Sequence, residues 1–235
     1  PYGKQCVQLR ELVQIARIMN CRYIRMFSFH VDPKGDYAEY KPEVIRKLKG
    51  FRDIAEEGGV VLLHENEKKI YGDVPSRCLE IYEALGNDNF RLAFDASNFI
   101  QCGAVPAEAY ALLKDYCVYY HVKDCSPEGV EVPIGMGNGG YREMLDDLVN
   151  NRGYDGFFTL EPHTAKYALL KNAFNVLFPI AALIPPIKNF HKVFLRIDKA
   201  YGIKRFGKVR REQGFVWPYE GRRKLLARAG TKTEE

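Results

Sequence analysis

The stretch VVLLHENEKKIYGD, residues 60–73, contains the pattern that decides the fold. Its four apolar residues run without a break into a polar cluster made of His64, Glu65, Asn66 and Glu67. A short continuous apolar run is typical of a strand buried on both faces, as in a parallel sheet covered by helices. Gly58-Gly59 directly before it is typical of a helix end. The stretch therefore predicts a helix, a buried strand and ionisable groups at the carboxyl end of that strand.

Helix and strand patterns alternate in the same way along most of the chain. The predicted strands are 21–29, 60–66, 91–98, 117–125 and 156–163, and the predicted helices are 4–20, 42–57, 74–86, 105–116 and 141–153. Strict alternation predicts a parallel α/β sheet, either doubly wound or a (β/α)8 barrel. Because the chain opens inside a helix and shows five strands of eight, we expect about three βα units to be missing before it.

The alternation stops after residue 163. We therefore expect a partial barrel domain over 1–163 and a C-terminal helical extension over 164–235 that packs on it. Residues 188–235 hold 14 Lys and Arg against 5 Asp and Glu, and they predict two basic amphipathic helices. Basic helices of this kind are either solvated surfaces or contacts for an acidic partner. Part of the extension, 164–205, is expected to serve as a cap or as a homodimer contact.

Composition excludes several classes of protein. The chain has 235 residues, of which 46% are hydrophobic and 28% are charged, as in an ordinary globular protein. No uninterrupted apolar run of about 18 residues occurs, so no membrane span is expected. The six cysteines are scattered without CxxC pairs, which argues against a disulfide framework or a cysteine zinc site. Reduced thiols favour a cytoplasmic location.

Four consecutive predicted strands end in residues of types that commonly bind metal ions. These residues are Glu65, Asp95, His121 and Glu161. Because the carboxyl ends of parallel strands lie on one face, the four side chains should meet there. Carboxylates with one imidazole suit a single divalent ion such as Mn²⁺, Mg²⁺, Co²⁺ or Zn²⁺. Such an ion would relieve repulsion between the buried carboxylates.

Each residue of this set also has a simpler interpretation. Asp95, followed by Ala-Ser-Asn, could cap the next helical turn, and His121 could be a core histidine. His64 points away from Glu65 along the strand and is expected to pack or to support the site. Glu67 lies past the strand and is expected to be a loop charge. Four suitable residues on four successive strand ends nevertheless favour a metal site.

The segments LLHEN, FDASN, YYHVKD, PIGMGNGGYREML and FFTLEPH occur in this order. They resemble the sugar phosphate isomerase/epimerase family, whose members are xylose isomerase-like TIM barrels related to the AP endonucleases. The resemblance covers roughly residues 20–163. It implies that Glu65, Asp95, His121 and Glu161 bind the metal and that Glu65 and Glu161 are the catalytic acid/base pair. The implied reaction is sugar or sugar phosphate isomerisation or epimerisation, by proton abstraction next to a metal-bound carbonyl or hydroxyl.

Several polar residues are candidates for binding the sugar. The resemblance places Lys123 near the substrate oxygens, and the other candidates are Arg25, Asn98 and His163. A surface ion pair is the alternative role for Arg25. The loop GMGNGG, residues 135–140, is either a tight turn or a backbone cradle for phosphate, and it lacks the Lys-Ser/Thr of a P-loop.

Two rival functions share this fold. An AP endonuclease-like phosphodiesterase would fit the basic tail. By resemblance, however, such enzymes hold three zinc ions and need more histidines than the five of this chain. Asn98 stands where a second histidine would follow the aspartate, so nucleic acid is not the expected partner. The second rival is a catalytically inactive barrel fragment. A small sugar or sugar phosphate is the partner that the pattern favours.

Overall fold

The computed structural model describes residues 2–161, 185–203, 210 and 212–228. Its helices are α1 Tyr2–Ile18, α2 Tyr37–Gly58, α3 Pro75–Leu85, α4 Ala96–Gln101, α5 Pro106–Leu113, α6 Tyr141–Asp146, α7 Pro185–Ala200 and α8 Gln213–Arg228. Its strands are β1 Tyr23–Met26, β2 Val61–Glu65, β3 Phe90–Asp95, β4 Cys117–Val122, β5 Asp124–Cys125, β6 Glu131–Val132 and β7 Phe157–Leu160. A π-helical turn, Asp147–Asn151, continues α6.

The five predicted strands are all present in one parallel sheet, in the order β1-β2-β3-β4-β7. The register places Tyr23 opposite Val61 and Leu62 opposite Phe90. Strands β5 and β6 form a separate antiparallel pair. This arrangement confirms the alternation read from the sequence, because parallel neighbours require a crossover helix between them.

Three predicted boundaries are wrong for local reasons. The third strand ends at Asp95 and not at residue 98, because Asp95 caps α4. The fourth strand ends at Val122, and the next residues turn into the β5–β6 pair. Helix α2 begins before Pro42, because the Asp36 side chain accepts the backbone N–H of Ala38 and caps it there. The predicted end of α2 is confirmed, since Gly59 adopts a left-handed conformation with φ of 68°.

Residues 1–120 and 121–235 form two compact units. In the first unit, the apolar faces of α1, α2 and α3 pack on β2 and β3. Buried members of this core are Leu9, Val13, Val44, Leu48, Phe51, Ile54, Leu62, Ile81 and Phe90. Every residue of β2 is buried, which fits a central strand covered on both faces.

In the second unit, α7 and α8 pack around the β5–β6 pair. Their core contains Val130, Val132, Val193, Phe194, Ile197 and Trp217. Trp217 stacks on Tyr201 with ring centroids 4.8 Å apart. The two basic helices predicted after residue 187 are therefore confirmed as helices with a buried apolar side. Among the described residues, no helix is long and apolar enough to cross a membrane.

Candidate metal centre

The four predicted metal ligands come together at the carboxyl ends of their strands. Each offers one ligand atom, and these atoms all lie within 4.8 Å of one another: Glu65 ends β2, Asp95 ends β3, His121 is the penultimate residue of β4, and Glu161 follows β7. Three of the side chains are buried, and that of Glu161 is partly buried. Parallel pairing explains the convergence, because it brings the carboxyl ends of neighbouring strands to one edge.

Asp95 caps a helix, and it also belongs to the candidate ligand cluster. Its Oδ1 accepts the backbone N–H of Asn98 at 2.9 Å and so caps α4. A carboxylate has a second oxygen, and Asp95 also belongs to the ligand cluster. Capping and ligation therefore do not compete at this residue.

Asn66 joins the ends of β2 and β3 beyond the last residue of β2. Its side chain donates to the carbonyl of Asp95 at 2.9 Å and accepts the N–H of Asp95 at 3.0 Å. Asn98 in turn donates from Nδ2 to the carbonyl of Asn66 at 2.8 Å. All three residues are buried. Their bonds satisfy backbone groups at the point where two ligand-bearing strands end, and they hold the backbone of Asp95 in place.

Arg25 lies beside Glu65 in the first unit. The distance from Arg25 Nε to Glu65 Oε2 is 3.3 Å, and the guanidinium lies 4.5 Å from the centre of the Phe27 ring. The Arg25 side chain is partly exposed, whereas that of Glu65 is buried. The guanidinium is therefore placed to pair with the Glu65 carboxylate and to fix its orientation.

Glu161 is contacted by two groups of the second unit. His121 Nδ1 lies 3.2 Å from Glu161 Oε1, and Lys123 Nζ lies 3.4 Å from Glu161 Oε2. The Lys123 side chain is only 5% exposed, so its ammonium is held in a largely water-excluded position. Each carboxylate oxygen of Glu161 thus faces a group that can donate a proton or carry positive charge.

The loop GMGNGG wraps around the carboxylate of Asp124. Asp124 Oδ2 accepts the N–H groups of Gly135 and Gly137 at 2.8 and 2.9 Å. Its Oδ1 accepts those of Cys125 and Gly139 at 2.8 and 2.9 Å. Burial raises the pKa of Asp124, and the four backbone hydrogen bonds oppose that shift. The loop is therefore a turn organised by an internal anion, and these three glycine amides are already engaged by Asp124.

The two remaining ionisable groups of the opening stretch have separate roles. His64 is buried with its ring stacked on Phe90 at 6.5 Å, and burial lowers its pKa to about 4. No hydrogen-bond partner for either ring nitrogen is found within the described part of the chain. The expected packing role of His64 is confirmed. Glu67 lies in the loop after β2 and pairs with Lys68 at 3.2 Å, as expected of a loop charge.

The candidate substrate residues have different environments. Arg25 and Lys123 contact the two glutamates of the cluster, and Asn98 belongs to the bonds around Asp95. His163 lies outside the described residues. Sequence reasoning assigned no role to Asn66, Asp124 or Tyr141. The signal for Asp124 was available, because an acidic residue followed by a glycine-rich loop can be bound by the backbone amides of that loop.

The donor set fits a divalent ion. Three carboxylates and one imidazole gathered within 4.8 Å carry negative charge that burial makes costly. An ion of two positive charges would remove that cost, and mixed oxygen and imidazole donors suit Mn²⁺, Mg²⁺, Co²⁺ or Zn²⁺. Within the ranges that the structure covers, this is the one group of at least three such residues close enough to hold an ion.

A family model and a curated protein are similar to this chain. The family model of xylose isomerase-like TIM barrels matches residues 4–178. A probable L-ribulose-5-phosphate 3-epimerase of Mycoplasma pneumoniae is 25% identical over 145 residues, which cover 61% of this chain and 45% of the relative. The chain thus spans less than half of the length of this curated relative.

Two solved structures show the same fold. A D-tagatose 3-epimerase-like protein matches with a TM-score of 0.56 and 22% identity, covering 64% of this chain and 59% of that chain. The IOLI protein, solved with a bound zinc atom, matches with a TM-score of 0.63 and 14% identity, covering 95% of this chain and 69% of that chain.

Proposed function

The chain belongs to the family of xylose isomerase-like TIM barrels, and from this premise we propose that it is a divalent-metal-dependent sugar or sugar phosphate isomerase or epimerase. The membership confirms the predicted fold class, a (β/α)8 TIM barrel of xylose isomerase-like type. The observation that carries the proposal is the convergence of Glu65, Asp95, His121 and Glu161. The names of the epimerase relatives support a small sugar as the substrate class.

The four clustered residues would hold one divalent ion. When bound, such an ion would polarise a C–O group of the sugar and acidify the adjacent C–H. Glu65 and Glu161 would then act as the acid/base pair: one carboxylate takes the proton from carbon, and the other returns a proton. Return of a proton to the opposite face of the same carbon would invert its configuration. Return to the neighbouring, former carbonyl carbon, with loss of the adjacent hydroxyl proton, would move the carbonyl group.

The contacts of the two glutamates differ in a way that suits these roles. The Arg25 guanidinium lies beside Glu65 and would orient its carboxylate for the role of base. The Lys123 ammonium beside Glu161 would face negative charge that develops on a sugar oxygen. Asn98 and His163 remain the other proposed substrate contacts.

An endonuclease remains the second candidate because α7 and α8 are rich in lysine and arginine. Exposed basic side chains on α8 include Arg223 and Lys224. By resemblance, a nuclease of this fold would need three zinc ions. The described residues supply one cluster, which is enough for a single ion. We therefore favour the sugar reaction.

Metal content and proton exchange together test the proposal. Purified protein should bind one divalent ion per chain, and it should incorporate solvent deuterium into a sugar or sugar phosphate from a screened panel. Glu65→Gln and Glu161→Gln should each abolish deuterium incorporation. Glu67→Gln is the matched control, since Glu67 lies in the same segment but pairs with Lys68 in the loop.

The outcomes separate the candidates. No bound divalent ion, or unchanged metal content and exchange in Glu65→Gln, would refute the proposal. Three zinc ions with cleavage of abasic DNA would establish the nuclease instead. One bound ion without deuterium exchange on any sugar of the panel would favour the inactive fragment.

Three further expectations stay predictions. They are a helical extension over 164–235 that packs on the barrel, a cap or homodimer contact within 164–205, and a cytoplasmic location. Size-exclusion chromatography with light scattering would test the dimer.

A further inference from the structure

The Asp124 carboxylate connects the end of β4 to a loop more than ten residues further along the chain. It accepts four backbone N–H groups, three of which come from alternate glycines of the loop GMGNGG. A Cβ atom at Gly137 would lie 2.3 Å from Asp124 Oδ1, and one at Gly139 would lie 2.9 Å from it. Both glycines are therefore needed for the loop backbone to approach the carboxylate this closely.

Tyr141 follows this loop directly and returns to the residue that precedes Asp124. The backbone N–H of Lys123 donates to the Tyr141 hydroxyl at 3.0 Å, and that hydroxyl donates to the carbonyl of Lys123 at 2.6 Å. Both residues are buried. Hydrogen bonds thus join Asp124 to the glycine loop, and the chain leads from this loop directly into Tyr141. The Tyr141 hydroxyl bonds back to the backbone of Lys123, so these contacts and the chain between them form a closed ring.

Lys123 is the residue of this ring whose side chain contacts Glu161. Lys123 lies between β4 and β5, outside both strands. Its ammonium nevertheless lies 3.4 Å from Glu161 Oε2 and is largely removed from water. A long, flexible side chain keeps such a position only if its backbone is fixed, because its free rotamers otherwise cost entropy to restrict.

We propose that Asp124 and Tyr141 are positioning residues that hold the Lys123 ammonium against Glu161 through the glycine loop. The inference rests on the proposed function, in which Lys123 faces negative charge on a sugar oxygen. A charged carboxylate suits this role better than a neutral amide. Each oxygen of Asp124 accepts two N–H groups. In an asparagine, the amide NH₂ group would replace one of these oxygens, and it cannot accept the two N–H groups that point at it.

The reactivity of Lys123 tests the proposal without any substrate. The protein is treated with an acylating reagent, and the modification of each lysine is followed by mass spectrometry. In the wild-type protein Lys123 should react more slowly than Lys47, whose side chain is 26% exposed and pairs with Glu43. Asp124→Asn and Tyr141→Phe should each raise the ratio of Lys123 to Lys47 reactivity roughly tenfold, as expected when one buried polar group loses its partner.

Matched controls separate positioning from loss of folding. Asp155→Asn changes an exposed aspartate and Tyr219→Phe changes an exposed tyrosine of the same unit, so neither should alter the ratio. Global unfolding would raise the reactivity of both lysines together, whereas loss of positioning raises that of Lys123 alone while the second unit stays folded. Fluorescence of Trp217, which is the one tryptophan of the chain, reports whether the second unit is folded in each variant.

The result that overturns the proposal is an unchanged reactivity ratio in a folded Tyr141→Phe variant. Because this variant removes one hydroxyl and keeps the ring, it decides the question even if Asp124→Asn does not fold. With an active substrate, both variants should lower kcat about 10- to 100-fold while metal affinity stays constant. A changed ratio in a protein that turns over no sugar would refute the proposed function and leave the positioning role standing.

Discussion

The backbone N–H of Asn98 donates to Asp95 Oδ1 at 2.9 Å, so the residue that ends β3 also begins α4. This bond fixes one oxygen of the carboxylate relative to the helix. The orientation of the other oxygen then follows from the planar geometry of the group. A helix cap of this kind would supply a preorganised metal ligand, because the side chain loses its rotational freedom when the helix forms.

Asp95→Asn should separate capping from metal binding. Asparagine caps a helix about as well as aspartate, so the metal-free protein should lose little stability or even gain some from reduced carboxylate repulsion. The affinity for a divalent ion should fall by at least the roughly 10- to 100-fold that is typical of changes outside the ligand set. Calorimetric titration with Mn²⁺ or Zn²⁺ measures the affinity, and thermal unfolding without metal measures the stability. Unchanged affinity would remove Asp95 from the ligand set.

Asn66→Ala should destabilise the protein by about 2–4 kcal/mol, because it leaves both backbone groups of Asp95 without their side-chain partner. Urea unfolding in the absence of metal gives the free energy of unfolding. Asn150→Ala is the control, since Asn150 bonds to Asp146 on an exposed helix face and should change stability by less than about 0.5 kcal/mol. Equal effects of the two substitutions would contradict a structural role for Asn66.

Trp217→Ala should cost about 3–5 kcal/mol in the second unit, because it removes a buried ring that stacks on Tyr201. Circular dichroism is the suitable measurement, since the substitution removes the one tryptophan. Tyr219 lies on the exposed side of the same helix, so Tyr219→Ala should change the free energy of unfolding only slightly.

The reactivity of Cys102 should depend strongly on pH. Burial and the nearby Asp73 carboxylate raise the pKa of Cys102 to about 11. The reactive thiolate fraction therefore grows with rising pH, and alkylation should accelerate about tenfold per unit until roughly pH 11. Asp73→Asn should lower this pKa and speed the reaction at pH 8. Alkylation by iodoacetamide, read by mass spectrometry, provides the rates, and a plateau near pH 9 would contradict the prediction.

Much of the candidate site could be read from the sequence because strand ends are easy to locate. Glu65, Asp95 and Glu161 each follow an apolar run, and parallel pairing carries such residues to one edge whatever the loops between them do. The same argument placed His64 on the opposite face of β2, where it stacks on Phe90. Period and direction of the strands are local properties, so they survive in the sequence.

Other features depended on distances that no local pattern records. The loop GMGNGG was compatible with a tight turn or with a phosphate cradle, and its amides point to Asp124 only because the folded chain brings the two together. The capping role of Asp36 was also missed, because Pro42 gave a stronger local signal for a helix start. In both cases the local pattern allowed another interpretation, and only the contacts of a polar side chain in the folded chain showed which one holds.

The sequence by itself determined the alternation of helices and strands, the parallel sheet and the set of candidate metal ligands at its carboxyl edge. These follow from apolar periodicity and from the uniform direction of parallel strands. Only the tertiary structure decided that Asn66 bonds to the backbone of Asp95, that Asp124 accepts the amides of the glycine loop, and that Tyr141 bonds to the backbone of Lys123. Hydrogen bonds between residues far apart in the chain require atoms placed to within tenths of an ångström, and that precision arises only when the whole core packs.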